Sequence, residues 1–217
     1  MESLEVWNTT YSHGDDFEGK IMFPVLVSLV IRDCPRLRLR PFPPRAEHWK
    51  IENSDNVLSS WEKGRPTCAS SSASRTYMRV KSSKVPLHQW RLLHHLPALT
   101  RLSMEHCSDL TSCIEGVIRV LSTLKSLSLQ HIDQPELPKW LAHLTSLEEL
   151  DIRYCKDIKA LPGNVLALTK LEELNIYGCS ELKRWCVLEE NTSNLAHIKI
   201  SIADNTNQLY RVYRSEQ

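Results

Sequence analysis

Residues 147–182 read LEELDIRYCKDIKALPGNVLALTKLEELNIYGCSEL, and one pattern occurs in them twice. Leu147, Leu150, Ile152, Cys155 and Ile158 recur as Leu171, Leu174, Ile176, Cys179 and Leu182, each 24 positions later. In the first part of the unit apolar residues alternate with polar ones. That alternation puts Leu150 and Ile152 on one face of a short strand, and Glu149, Asp151 and Arg153 on the other. The second part, Leu161-Pro162-x-x-Val165-x-x-Leu168, changes to a spacing near three, which suits a helical or 3₁₀ turn returning the chain to its next strand. Neither part buries its apolar side alone, but stacked copies cover one another. The pattern therefore predicts an α/β solenoid, with a parallel β-sheet on the concave side and short helical or irregular arms on the convex side.

Outward from this stretch, the first leucines of successive units fall at 99, 124, 147, 171 and 195, in steps of 25, 23, 24 and 24. An earlier copy runs through Leu26, Leu29, Ile31, Cys34 and Leu37, and Met1, Leu4, Val6 and Thr9 fit the strand half of one more. Weaker copies pass through Ala46, Trp49, Ile51, Ser54 and Val57, and through Met78, Val80 and Ser83. The expected organisation is one repeat array over residues 1–203, entered in mid-repeat at an unpaired first strand, as in a fragment of a longer protein. Residues 38–76 form an irregular insertion in this reading. Its Ser-rich part, 58–76, is either a projecting loop or a hinge. Residues 204–217 are a polar tail that caps the core or frays.

Charge is close to balanced, with Lys+Arg 27 against Asp+Glu 26, which excludes the global basic excess of a nucleic-acid binder. The amino terminus lacks the basic flank and apolar core of a signal peptide, and the apolar run Val25–Ile31 is too short to span a bilayer. A cytoplasmic chain without a membrane span is expected. Four of the seven cysteines, Cys34, Cys107, Cys155 and Cys179, share one repeat position, where a small side chain suits a buried turn. No Cys-x-x-Cys or His-x-x-x-His pair suggests zinc.

Residues Gly14 to Lys20 have the spacing of a phosphate-binding loop, but Ile21 replaces the hydroxyl residue that magnesium needs, and three carboxylates would repel phosphate. A surface turn between two strands is the better reading. His94 and His95 on a return arm read as packed or exposed structural histidines. The pairs Glu148-Glu149 and Glu172-Glu173 recur because the repeat does, without sign of a pocket for acid–base work. No catalytic residue, cofactor or metal is expected.

What remains is a surface. Strands about 4.8 Å apart turn the exposed positions of each repeat into columns. The first is expected to run through Ser3, Ser28, His48, Tyr77, Arg101, Ser126, Glu149, Glu173 and His197, the second through Glu5, Val30, Lys50, Arg79, Ser103, Ser128, Asp151, Asn175 and Lys199. The third runs through Trp7, Arg32, Glu52, Lys81, Glu105, Gln130, Arg153, Tyr177 and Ser201. Tyr77, Arg79, Lys81 and Arg101 make a basic patch, while Glu149, Asp151 and Glu173 make an acidic one beside Arg153 and Tyr177. Aromatic and Arg side chains are favoured interface anchors. The candidate protein-binding residues are thus Arg101, Glu105, Glu149, Asp151, Arg153, Glu173, Asn175, Tyr177 and Lys199, centred on the acidic cluster. The competing reading is a merely solvated face, since the wet side of such a sheet is polar in any case.

The Leu-Pro-x-x-Leu arms, the ladder cysteines and the run LPKWLAHLTSLEELDIRYCKDIKALPGNVLALTKLEELNIYGCSELKRW resemble the final repeats of a plant receptor family. That family is the coiled-coil class of intracellular nucleotide-binding leucine-rich-repeat disease resistance proteins, particularly those of grasses, and the similarity covers about residues 97–200. The resemblance implies a leucine-rich-repeat fold that recognises a pathogen effector or a guarded host protein and restrains the receptor's nucleotide switch. It also implies contact with the nucleotide-binding domain of the same receptor, the one place where ATP or ADP is expected. The alternative is the substrate-recognition repeat domain of an F-box ubiquitin-ligase adaptor, which shares cysteine-containing repeats. An extracellular receptor kinase would instead carry Asn at the ladder position and Gly-x-Ile-Pro arms.

Overall fold

The structure, a computed structural model, describes residues 5–11, 20–21, 26–40, 43–44, 46–61, 76–96, 99–112, 115–163, 165, 168–188, 191, 195–203 and 209–211. In chain order the elements are β1 (Val6–Asn8), β2 (Thr10–Tyr11), β3 (Lys20–Ile21), β4 (Leu26–Arg32), β5 (Arg38–Arg40), β6 (Ala46–Glu52), α1 (Asp55–Ser59), β7 (Thr76–Lys81) and β8 (Leu99–Glu105). They continue with α2 (Glu115–Leu121), β9 (Ser126–Gln130), β10 (Glu149–Arg153), β11 (Glu173–Tyr177), α3 (Ser180–Cys186), β12 (Lys199–Ala203) and β13 (Leu209–Arg211). Return arms also contain 3₁₀ segments at Leu87–Gln89, Arg91–His95 and Lys139–His143.

A nine-stranded sheet, ordered β4-β6-β7-β8-β9-β10-β11-β12-β13, carries the fold. Its first eight strands are parallel and in register, so that Leu127, Leu150 and Leu174 align, as do Leu129, Ile152 and Ile176. These six side chains are fully buried. Full burial of one Leu or Ile contributes about 1.5–3 kcal/mol, and each repeat shares that burial with its neighbours. The result is the solenoid that the alternation predicts.

The ladder cysteines knit adjacent turns. Cys155 N–H donates to the Cys179 sulfur at 3.3 Å, and Cys34 N–H donates to the Ser54 hydroxyl at 3.0 Å. Cys34, Cys107, Cys155 and Cys179 are all free and buried. Burial raises the Cys107 thiol to about 11, which keeps it protonated and able to donate. Four buried tryptophans each give their indole N–H to a carbonyl, as Trp90 does to Val85 at 2.9 Å, so their bulk fills the core without an orphaned donor.

Each strand of the main sheet from β4 to β11 is followed by a residue of left-handed backbone conformation: Asp33, Asn53, Ser82, His106, His131, Tyr154 and Gly178, with φ between 46° and 60°. Each donates its N–H to the last residue of the next strand, as His131 does to Arg153 at 3.0 Å. The repeated hydrogen bond sustains a conformation that side chains other than Gly seldom adopt.

Two expectations need correction. Val6–Asn8 does not head the main sheet; β1 pairs in parallel with β5, Trp7 opposite Leu39, as a separate two-stranded sheet. Alternation identifies a strand but not its neighbour, and here the antiparallel pair β2–β3 intervenes between β1 and β4. Glu5 and Trp7 therefore leave the columns, and Ser3 lies outside the described residues.

The last repeat is also displaced by two residues: Leu174 aligns with Ile200 and Ile176 with Ile202, 26 positions on. Leu195 stands where Leu168 stands, accepting a hydrogen bond from the residue three positions later, Ile198. The cause is α3: a helix advances only about 1.5 Å per residue, so this arm needs more residues to cover the same distance.

Within the stretch read as irregular, residues 46–61 supply an in-register strand and the helix α1, with Trp49, Val57, Leu58 and Trp61 buried. Gly14–Gly19 and residues 62–75 lie outside the described residues. At the other end β13 pairs antiparallel with β12, Tyr210 opposite Ile202, and covers that strand's outer edge.

Candidate functional site

The polar face of the sheet brings all nine candidate residues onto strands β8, β10, β11 and β12. Alternation forces their side chains outward, and the parallel register sets them in rows. Glu149 lies beside Glu173, Asp151 beside Asn175 and Arg153 beside Tyr177. Lys199 lies beside Glu173 in the first column rather than in the second, as the displaced last repeat requires, and Ser201 stands beside Asn175. His197 precedes the strand and is not in a column.

The acidic cluster is largely satisfied within itself. Asp151 accepts from Arg153 at 2.7 Å and from the Asn175 amide at 2.8 Å, and it is 9% exposed. Glu173 accepts from Lys199 at 2.6 Å. The Arg153 guanidinium lies over the Tyr177 ring, 5.6 Å from its centroid, which holds that aromatic in place. Of the three carboxylates, Glu149 alone has no ion pair among the described residues.

The basic patch is built differently. Arg79 and Lys81 both reach Glu105, at 2.7 and 3.0 Å. Burial opposes ionisation of Glu105, but its bonds to Arg79 and Lys81 outweigh that and leave its pKa below the usual carboxylate range. Arg32 pairs with Glu52 at 3.3 Å, and Lys81 touches Glu52 at 4.0 Å. Lys50 and Arg101 have no ion pair among the described residues. Arg32, Lys50, Ile51, Glu52, Arg79 and Lys81 line a shallow dent of about 190 Å³.

A further row of side chains lies one position beyond the three columns read from the sequence. Just past the third column, His106 stacks on His131 with centroids 4.4 Å apart, and His131 on Tyr154 at 5.0 Å. This aromatic ridge occupies the left-handed turn positions. The signal available was a ring-bearing residue directly after each of three successive strands. His95, by contrast, packs on Trp61 at 5.3 Å in the return arms; burial first, and then His94, lower its pKa. Among the described residues no group of three or more His, Cys, Asp or Glu could hold a metal, and no helix is long and apolar enough to cross a membrane.

Comparisons with known proteins agree with this geometry. The family model described as At1g61320/AtMIF1, LRR domain, matches residues 98–214, which covers strands β8–β13. The chain is also similar to an Arabidopsis thaliana protein, At4g19050, whose name describes it as a candidate disease resistance protein. The two are 28% identical over 163 residues, covering 64% of this chain and 13% of that one. The chain thus spans a small part of that relative's length.

Proposed function

The chain belongs to the leucine-rich-repeat domains, and from that premise we propose that it is the recognition module of a plant cytoplasmic immune receptor. It would bind a pathogen effector or a guarded host protein on the polar face of its sheet, without catalysis. In a full-length receptor the same module would contact the nucleotide-binding domain and restrain its switch, the step that precedes a hypersensitive response. The observation that carries the reading is the row of Glu149, Glu173, Arg153 and Tyr177 held in register across β10 and β11, a half-buried polar cluster with an arginine-clamped aromatic. Support for defence comes from the similarity to At4g19050 and from the grass-type repeats.

The test is co-precipitation of the chain with individual effectors expressed beside it in plant cells. Retention of an effector by the parent chain, lost in Glu149→Lys with Tyr177→Ala at unchanged melting temperature, is the expected result. Equal retention by the double variant would refute the assigned face.

A further inference from the structure

We infer that the dent between β4, β6 and β7, extended to Arg101 on β8, is a docking site for an acidic protein segment, one presenting several carboxylates on an extended chain. This deepens the binding reading above, because it assigns a partner chemistry to the half of the face that the acidic cluster does not use.

Charge carries the inference. The three columns of β4 and β6–β8 hold five cations, Arg32, Lys50, Arg79, Lys81 and Arg101, against two carboxylates, Glu52 and Glu105. Their arrangement matters as much as the sum. In the third column the order Arg32, Glu52, Lys81, Glu105 alternates in sign, so these groups neutralise each other. Arg79 shares Glu105 with Lys81, so the surplus falls on Lys50, beside Arg79 in the second column, and on Arg101 in the first. Lys50 and Arg101 find no counter-ion among the described residues. On the other half of the face Asp151 and Glu173 already have theirs.

The form of the site selects among anions. A compact polyphosphate placed in the dent would meet the Glu52 carboxylate along with the cations. A peptide avoids it, since its carboxylates, on alternate residues about 7 Å apart in an extended chain, can sit over Lys50–Arg79 and over Arg101 while its backbone passes Glu52. An open, shallow dent lined by long side chains also fits a protein surface better than an enclosed small ligand. Such contacts act mostly on encounter and specificity, and salt weakens them.

A fluorescein-labelled hexaglutamate peptide, titrated by anisotropy against the full chain at low and physiological salt, tests this. Lys50→Glu with Arg101→Glu should weaken binding at least about tenfold, because neither residue supports an internal ion pair. Lys139→Glu, on a return arm, should leave it unchanged. Should the charge-reversed protein fold poorly, Lys50→Gln with Arg101→Gln gives the same direction with a smaller loss. Equal binding by parent and variants overturns the proposal, as does a dent that takes inositol hexakisphosphate while hexaglutamate fails to displace it. An effector still held through Glu149 and Tyr177 by a chain that ignores hexaglutamate refutes only this charge assignment and leaves the recognition module standing.

Discussion

The two halves of the polar face follow one backbone plan and dispose of charge in opposite ways. On β10–β12 Asp151 and Glu173 meet Arg153, Asn175 and Lys199 at hydrogen-bonding distance, and the cluster closes on itself apart from Glu149. On β6–β8 two carboxylates serve a larger number of cations, and Lys50 and Arg101 stay open to a partner. Column composition alone therefore misjudges a recognition surface. Asp151 looks like an acidic contact in the sequence, yet in the structure it is a nearly buried acceptor that fixes its neighbours.

The comparison presumes that both halves rest on one continuous core, and the most severe test strikes there. Leu150→Asp puts a charge into a fully buried site and should remove more than about 3 kcal/mol, abolishing cooperative unfolding by circular dichroism. Val30→Asp, on an exposed position of β4, should change stability by less than about 0.5 kcal/mol. A Leu150→Asp protein melting like its parent would break the shared core.

Next in size is Asp151→Ala, which strands the Asn175 amide and Arg153 and should cost about 1–3 kcal/mol in urea unfolding. Glu149→Ala in the same cluster should cost almost nothing. Equal costs for the two would erase the distinction between the fixed and the open carboxylate.

Acid sharpens the other half. The Glu105 pKa lies lower in the folded chain than in the unfolded one, because Arg79 and Lys81 overcome the effect of burial. Its stabilisation is then fully present above the unfolded carboxylate value and is lost as pH falls through the folded one. Chemical unfolding measured between neutral and strongly acid pH should show a shallower acid loss in Glu105→Gln than in the parent; parallel curves would remove Glu105 from the account. Among the ion pairs the smallest effect belongs to the exposed Lys125–Glu148, 2.6 Å apart. Lys125→Ala should move stability by at most about 1 kcal/mol, and less at high salt.

Sequence by itself determined the repeat, the strand faces and the ladder position, because each is a local consequence of spacing: a period of two fixes which side of a strand is dry, and recurrence near 24 residues fixes how strands stack. Even the register of the degenerate copy at Tyr77, Arg79 and Lys81 follows from Met78 and Val80, and the strand pairing agrees. Other features depended on the third dimension. Val6–Asn8 chose β5 rather than β4 because a strand's pattern does not name its neighbour. The last repeat slipped by two residues because α3 spans less distance per residue than the looser arms. The stacking of His106, His131 and Tyr154, and the division of cations into paired and unpaired, arise from side chains that meet only when strands some two dozen residues apart lie side by side.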